Sequence, residues 1–122
     1  QLVSTSTWEP LQSSLTANGT IFAVAFSPDG LLLAYGGQDE KVRTADVDTW
    51  TEFRAPIEAN GVVNTVTFSP NSKFLIFAGE SGQVVLWSTN SWVKDHVLDV
   101  GRPILTAAVS PDGAILAHAG HD

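Results

Sequence analysis

The sequence predicts an all-β protein assembled from repeated four-stranded antiparallel units, and three observations carry that prediction. Residues 21–30, Ile-Phe-Ala-Val-Ala-Phe-Ser-Pro-Asp-Gly, return in recognisable form at 63–72 and again at 104–113. The Ser-Pro pairs that begin at Ser27, Ser69 and Ser110 therefore lie 42 and then 41 residues apart. A second set of markers keeps the same step: Thr7-Trp8, Thr49-Trp50 and Ser91-Trp92, with Ala17-Asn18-Gly19 returning as Ala59-Asn60-Gly61. Between the markers lie short apolar or alternating runs closed by turn residues, which is how strands read. A fixed period near 40 residues makes this a repeat protein.

Residues 21–26 form the first expected strand. Both alternation sets, Ile21/Ala23/Ala25 and Phe22/Val24/Phe26, are apolar, so the strand is expected to be covered on both faces. Six residues are too few for a helix. Ser27-Pro28-Asp29-Gly30 then supplies a type I turn, with proline second and glycine fourth. Residues 31–35 continue apolar as a second strand, 36–40 break the run, and 41–45 alternate polar with apolar as a half-exposed third. The fourth segment, 50–57, carries charges and Pro56, which sheets tolerate mainly at an edge. Burial is expected to fall from first strand to fourth. The next repeat runs the same way through 63–68, 74–78, 84–87 and 92–98.

Units with two apolar faces need a neighbour on each. A β-sandwich would solvate one face of every sheet, whereas a β-propeller covers each blade with the blades beside it. The expected fold is thus a β-propeller of four-stranded antiparallel blades, with three blades' worth of strands in this chain. Residues 1–17 hold the last two strands of one blade, 18–58 and 59–98 are whole blades, and 99–122 hold the first two strands of another. Ser72 stands where the other turns have glycine; if the position needs positive φ, Ser72→Gly should stabilise the blade by a few tenths to about 1 kcal/mol.

The 122 residues are 43% hydrophobic, enough for a core and against disorder. A net charge of -7 with only six Lys and Arg argues against a phosphate-tracking surface, so nucleic acid is not an expected partner. No apolar run has the length to cross a bilayer and no signal-peptide pattern opens the chain. It is expected to be soluble, without a membrane partner, with a cytoplasmic location favoured. Cysteine is absent, which excludes a disulfide framework and thiolate metal sites. Methionine is absent too and the chain starts at Gln1, inside a repeat. Propellers usually close with four to eight blades, so further blades are expected from the same or another chain. Either this is a segment of a larger propeller, or it self-assembles, with residues 1–17 completing the blade begun by 104–119 and two chains making six blades.

No residue set commits to chemistry. His118, His121 and Asp122 look metal-like, but strand alternation puts 118 and 121 on opposite sides. Gly79-Glu80-Ser81-Gly82 has the wrong spacing for a nucleophile elbow, and Asp39-Glu40-Lys41 reads as a charged hairpin turn. Tyr35-Gly36-Gly37 leads into a strand, not a phosphate-binding helix. His96 reads as solvated. Catalytic, cofactor and metal sites are accordingly expected to be none. Trp8, Trp50 and Trp92 share one repeat position, which favours a structural job at the blade edge over binding posts, and Trp87 reads as core. Asn18-Gly19-Thr20 is a glycosylation sequon, though the return of Asn60-Gly61 without the threonine favours a turn.

Through residues 24–30, 33–39, 68–70 and 84–88 the sequence resembles the tryptophan-aspartate (WD) repeat family. It departs from that pattern as well. The family's histidine position falls near Ala17, Ala59 and Asp99, its tryptophan position holds Ala45 and Trp87, and its turn aspartate survives as Asp39 and Asp122 with Ser81 between them. The resemblance implies a non-enzymatic scaffold that holds other proteins or peptides. Loops that enter the first strands and join the second to the third would build its face: Asn18, Thr20, Asp39, Glu40, Asn60, Glu80, Arg102 and His121. The acidic members, Asp39, Glu40 and Glu80, would suit a basic peptide. Two alternatives belong to other classes: a ligand-binding or catalytic propeller with a central-channel site, and a structural component of a large assembly.

Overall fold

The structure is a computed structural model, and it describes residues 18–120. The expected half-blade at 1–17, with Trp8, and the candidates His121 and Asp122 lie outside the described residues. Ten strands form three sheets, and the described residues contain no helix. The first sheet holds β1 (Ile21–Phe26), β2 (Leu32–Gly37), β3 (Lys41–Asp46) and β4 (Ile57–Glu58) in that order. The second holds β5 (Val63–Phe68), β6 (Phe74–Gly79), β7 (Gln83–Ser88) and β8 (Lys94–Asp99), and β9 (Ile104–Val109) with β10 (Leu116–Gly120) makes the third. All pairings are antiparallel.

One turn is built three times. The Ser27 hydroxyl donates to Asp29 Oδ1 (2.6 Å) and accepts from Leu32 N (3.0 Å), while Asp29 Oδ1 also accepts from Leu31 N. Ser69 and Asn71 repeat this toward Phe74 and Lys73, and Ser110 and Asp112 repeat it toward Ile115 and Ala114. In each the residue closing the turn has positive φ: Gly30 at 76°, Ser72 at 62°, Gly113 at 78°. Ser72 therefore carries the strain that its position implied. Its hydroxyl, however, accepts from Asp29 N on the first sheet (3.1 Å). Relief of about 1 kcal/mol of backbone strain is then offset by a lost hydrogen bond of similar size. Ser72→Gly is expected to change the unfolding free energy by less than about 0.5 kcal/mol, and Ser72→Ala to lower it by about 1 kcal/mol. Denaturant titration of both variants checks this; an alanine variant as stable as the parent would contradict it.

Packing runs from sheet to sheet. Ala34, Val42 and Ile57 of the first sheet share a core with Val66, Phe68, Leu75, Phe77 and Val85 of the second. Ile76, Ala78 and Val84 of the second sheet share another with Ile104 of the third. Facing surfaces meet closely, since a Cβ on Gly36 would lie 2.9 Å from Val63 Cγ1. The second sheet alone among the three has a described neighbour on both sides.

That difference corrects two expectations. Coverage on both faces holds for β5 but fails for β1, where Val24 and Phe26 are 63% and 58% exposed against 6% and 6% for their repeat equivalents Val66 and Phe68. The outer face of β1 has no described sheet against it. The burial gradient likewise holds in the second sheet, from buried β5 and β6 to exposed β8, but not in the first. The fourth segment of the first repeat is also shorter than expected. A bridge pairs Ala45 with Glu52, then pairing resumes only at Ile57–Glu58, because Pro56 donates no hydrogen bond. Trp50 and Trp92 both sit in turns at positive φ. Trp50 packs edge-on to Phe26, and Trp92 edge-on to Phe53 and Trp87, so they cover the blades as their shared position implied.

Candidate binding end

Antiparallel connectivity sends the first-to-second and third-to-fourth turns to one end of every sheet. The second-to-third turns and the sheet-to-sheet crossovers go to the other. Asn18, Thr20, Asp39, Glu40, Asn60, Glu80 and Arg102 all belong to the latter end. Asp39 is half-buried and the other six are exposed.

Backbone bonds hold these loops in register. Gln38 N donates to Thr20 O, and Glu80 N donates to Val62 O one sheet later, each at 2.9 Å. Ala59 N donates to Glu40 O, and Val100 N to Gly82 O. Asn60 takes positive φ (58°) ahead of Gly61, the conformation that an Asn-Gly turn supplies without strain. Arg102 lies with its backbone against Gly82, where a Cβ would come 3.0 Å from Arg102 N. Together with Val100, Pro103, Ile104 and His118 it lines a cleft of about 400 Å3.

Asp39 organises the first loop. Its Oδ2 accepts from Arg43 Nε (3.0 Å), Arg43 Nη2 (2.8 Å) and Asn18 N (3.3 Å), and its Oδ1 accepts from Lys41 N (3.2 Å). Both oxygens are engaged, and the ion pair with Arg43 is largely shielded from water. Burial raises the Asp39 pKa. The hydrogen bond from Arg43, those from the Asn18 and Lys41 amides and the Arg43 charge outweigh it, so the carboxyl titrates below its ordinary value. A lowered folded pKa adds stability above the unfolded value, about 3.9, that disappears as pH falls through the folded one. Asp39→Asn is expected to cost about 2 kcal/mol at pH 7, since Arg43 then lacks its counter-charge. The gap between variant and parent should close as pH drops below about 4. Unfolding free energies across the acid range check it; a gap independent of pH would contradict the pairing.

Glu40 and Glu80 point the other way in availability. Both are exposed, at corresponding turns of adjacent sheets. Glu80 Oε1 accepts from Asn64 Nδ2 (3.3 Å), and the same amide donates to Ile104 O of the third sheet (2.9 Å). Lys41 Nζ meets Glu58 Oε2 at 2.9 Å in a solvent-exposed pair. Among the described residues no group of three His, Cys, Asp or Glu side chains is placed to hold a metal ion. Sequence reasoning missed the Arg43 partnership and the Asn64 bridge; Asn64 has no counterpart at Phe22 or Leu105, so no repeat signal marks it.

A family model described as WD domain, G-beta repeat, matches residues 8–44 and again 51–88. No curated protein matches the chain.

Proposed function

The chain belongs to the WD-repeat family, whose repeats generally act as protein-interaction scaffolds, and we propose that it is a non-enzymatic scaffold holding a basic peptide segment at its loop end. In this reading the chain divides into whole blades at 18–58 and 59–98, with half-blades at 1–17 and 99–122. The partner-binding loops carry Asn18, Thr20, Glu40, Asn60, Glu80, Arg102 and His121, with Asp39 fixing the first loop from within.

The observation that supports the basic partner is the exposure of Glu40 and Glu80 on neighbouring turns, in a chain of net charge -7. Unlike Asp39, neither pairs its carboxylate with a cation among the described residues. Charges at such a rim set specificity and salt dependence more than total affinity. The test is fluorescence anisotropy with Lys/Arg-rich peptides and with acidic peptides of equal length. Basic peptides should bind, more weakly as salt rises, and Glu40→Lys with Glu80→Lys should weaken them about tenfold without changing the β spectrum. Equal binding of both peptide classes, or a charge reversal without effect, would overturn the basic-peptide reading.

A further inference from the structure

We infer that the groove between the first and second sheets, at the end carrying the first-to-second turns, is a further docking site, and that it takes an extended peptide in which Arg or Lys alternates with apolar residues. It lies at the opposite end from the loops of the scaffold reading and does not depend on them.

The groove runs between two four-stranded sheets and encloses about 450 Å3. Asp29, Asp46 and Asp48 of the first sheet line one side and Lys73 of the second lines the other. Leu31 and Phe53 also line it, at 59% and 38% exposure. The turns do not need the three charges. One repeat step later the same positions are Asn71, Ser88 and Asn90. Asn71 Oδ1 accepts from Ser69 Oγ and Lys73 N, just as Asp29 Oδ1 accepts from Ser27 Oγ and Leu31 N. Ser88 Oγ accepts from Ser91 N, just as Asp46 Oδ1 accepts from Thr49 N. Neutral side chains thus build both turns, and the charges are surplus to folding. The corresponding groove between the second and third sheets has one carboxylate in its lining, Asp112.

Charge and burial together select the occupant. Three carboxylates face one ammonium, and the hydrogen bonds from Ser27 and the Leu31 amide hold the Asp29 carboxyl below its ordinary value, so it is ionised at neutral pH. No three acidic side chains among the described residues are placed to share a metal ion, so the charge suits an organic cation whose stem packs on Leu31 and Phe53. Aromatic rings at this seam already hold one cation. Arg54, outside the lining, has its guanidinium carbon 5.2 Å from the Phe53 centroid and 6.0 Å from that of Trp92. Carboxylates still outnumber cations when Arg54 is counted. The seam beneath the groove is polar from both walls. Thr44, 2% exposed and on the same face of β3 as Asp46, keeps Oγ1 without a hydrogen-bond partner among the described residues, as does Trp87 Nε1 from the second sheet. Thr44 stands where the next repeat has Leu86. A hydroxyl that accepts and an indole N–H that donates match the amides and carbonyls of a peptide, whereas a simple polyamine offers no acceptor.

Fluorescence anisotropy and amide chemical-shift mapping on the 122-residue chain test this. The probes are a labelled hexapeptide alternating Arg with Leu, an Arg-Gly peptide of equal charge, and spermine. The Arg-Leu peptide should bind at least about tenfold more tightly than the Arg-Gly peptide. It should shift the amides of residues 29–31, 46–49 and 72–73 more than those of 38–41 and 80–82. Asp29→Asn, Asp46→Ser and Asp48→Asn together give the first sheet the side chains of the second. That triple variant should keep the β spectrum and cooperative unfolding, and bind about tenfold more weakly. Should it fail to fold, Asp48→Lys alone decides by the same loss of binding, since the Asp48 carboxylate forms no ion pair among the described residues. A parent that does not bind the Arg-Leu peptide, equal binding of the Arg-Gly peptide, or variants that bind as the parent does would each overturn the inference. So would spermine giving the same shifts at the same concentration, which would make the groove a polyamine site. The Glu40 and Glu80 reversals should leave the groove shifts in place, so the two readings fail separately.

Discussion

Gly79→Ala is expected to destabilise the fold by at least about 3 kcal/mol, enough to unfold a domain of ordinary stability at room temperature. Gly79 ends β6 opposite Val63, where the register of the β5–β6 pair shifts. A Cβ there would press into the Val62 carbonyl oxygen and stand 2.9 Å from Asn64 N. The same carbonyl accepts the Glu80 amide that closes the loop, so the methyl group would displace a hydrogen bond as well as backbone. Neither obstacle is a side chain that can rotate away. Gly37 and Gly120 occupy the same place in the other sheets, against the carbonyls of Thr20 and Pro103. Gly113 provides the control. Its φ is 78° but a Cβ would meet nothing nearer than Pro70 Cδ at 3.9 Å, so Gly113→Ala should cost only about 1 kcal/mol. Equal losses from the two alanines, measured by denaturant unfolding, would contradict this account of the bulge.

Phe68→Ala is expected to cost about 3 to 4 kcal/mol, and Phe26→Ala about 1 kcal/mol. The two phenylalanines hold one repeat position and the same strand pairing, Phe68 opposite Leu75 and Phe26 opposite Leu33. What separates them is the neighbouring sheet. Phe68 lies in the core between the first and second sheets, while Phe26 keeps mainly an edge-on contact with Trp50 at 6.5 Å between ring centroids. Truncating the first leaves a cavity; truncating the second removes half of one aromatic pair. At dilutions where the chain is monomeric, comparable losses would mean that burial between sheets contributes little.

Strand order and the Ser-Pro turns of the described residues were legible in the sequence because each depends on local chemistry that the repeat prints three times. Trp50 and Trp92 were legible for the same reason. Exposure was not, because Phe26 and Phe68 read alike until it is known which of them has a sheet beside it. The shortened β4 follows from Pro56, but where pairing resumes depends on the path of residues 53–56. At the loop end, Asp39-Glu40-Lys41 read as a charged turn, and the turn is there; that Asp39 serves Arg43 while Glu40 faces solvent depends on side-chain direction across the hairpin. Gly37, Gly79 and Gly120 recur at steps of 42 and 41, a signal present in the sequence, yet their close approach to a carbonyl becomes visible only with the bulge in place.

Face-to-face packing of blades is the source of burial in this fold, and amide hydrogen exchange in β1 against β5 tests it most directly. Among the described residues each strand is hydrogen-bonded to one partner strand, β1 to β2 and β5 to β6, with a register shift at the same place. Strand pairing therefore predicts equal protection. Coverage by neighbouring sheets predicts that, in the dilute chain, amides of Val63–Phe68 exchange at least about tenfold more slowly than those of Ile21–Phe26. Equal exchange in the two strands would contradict it.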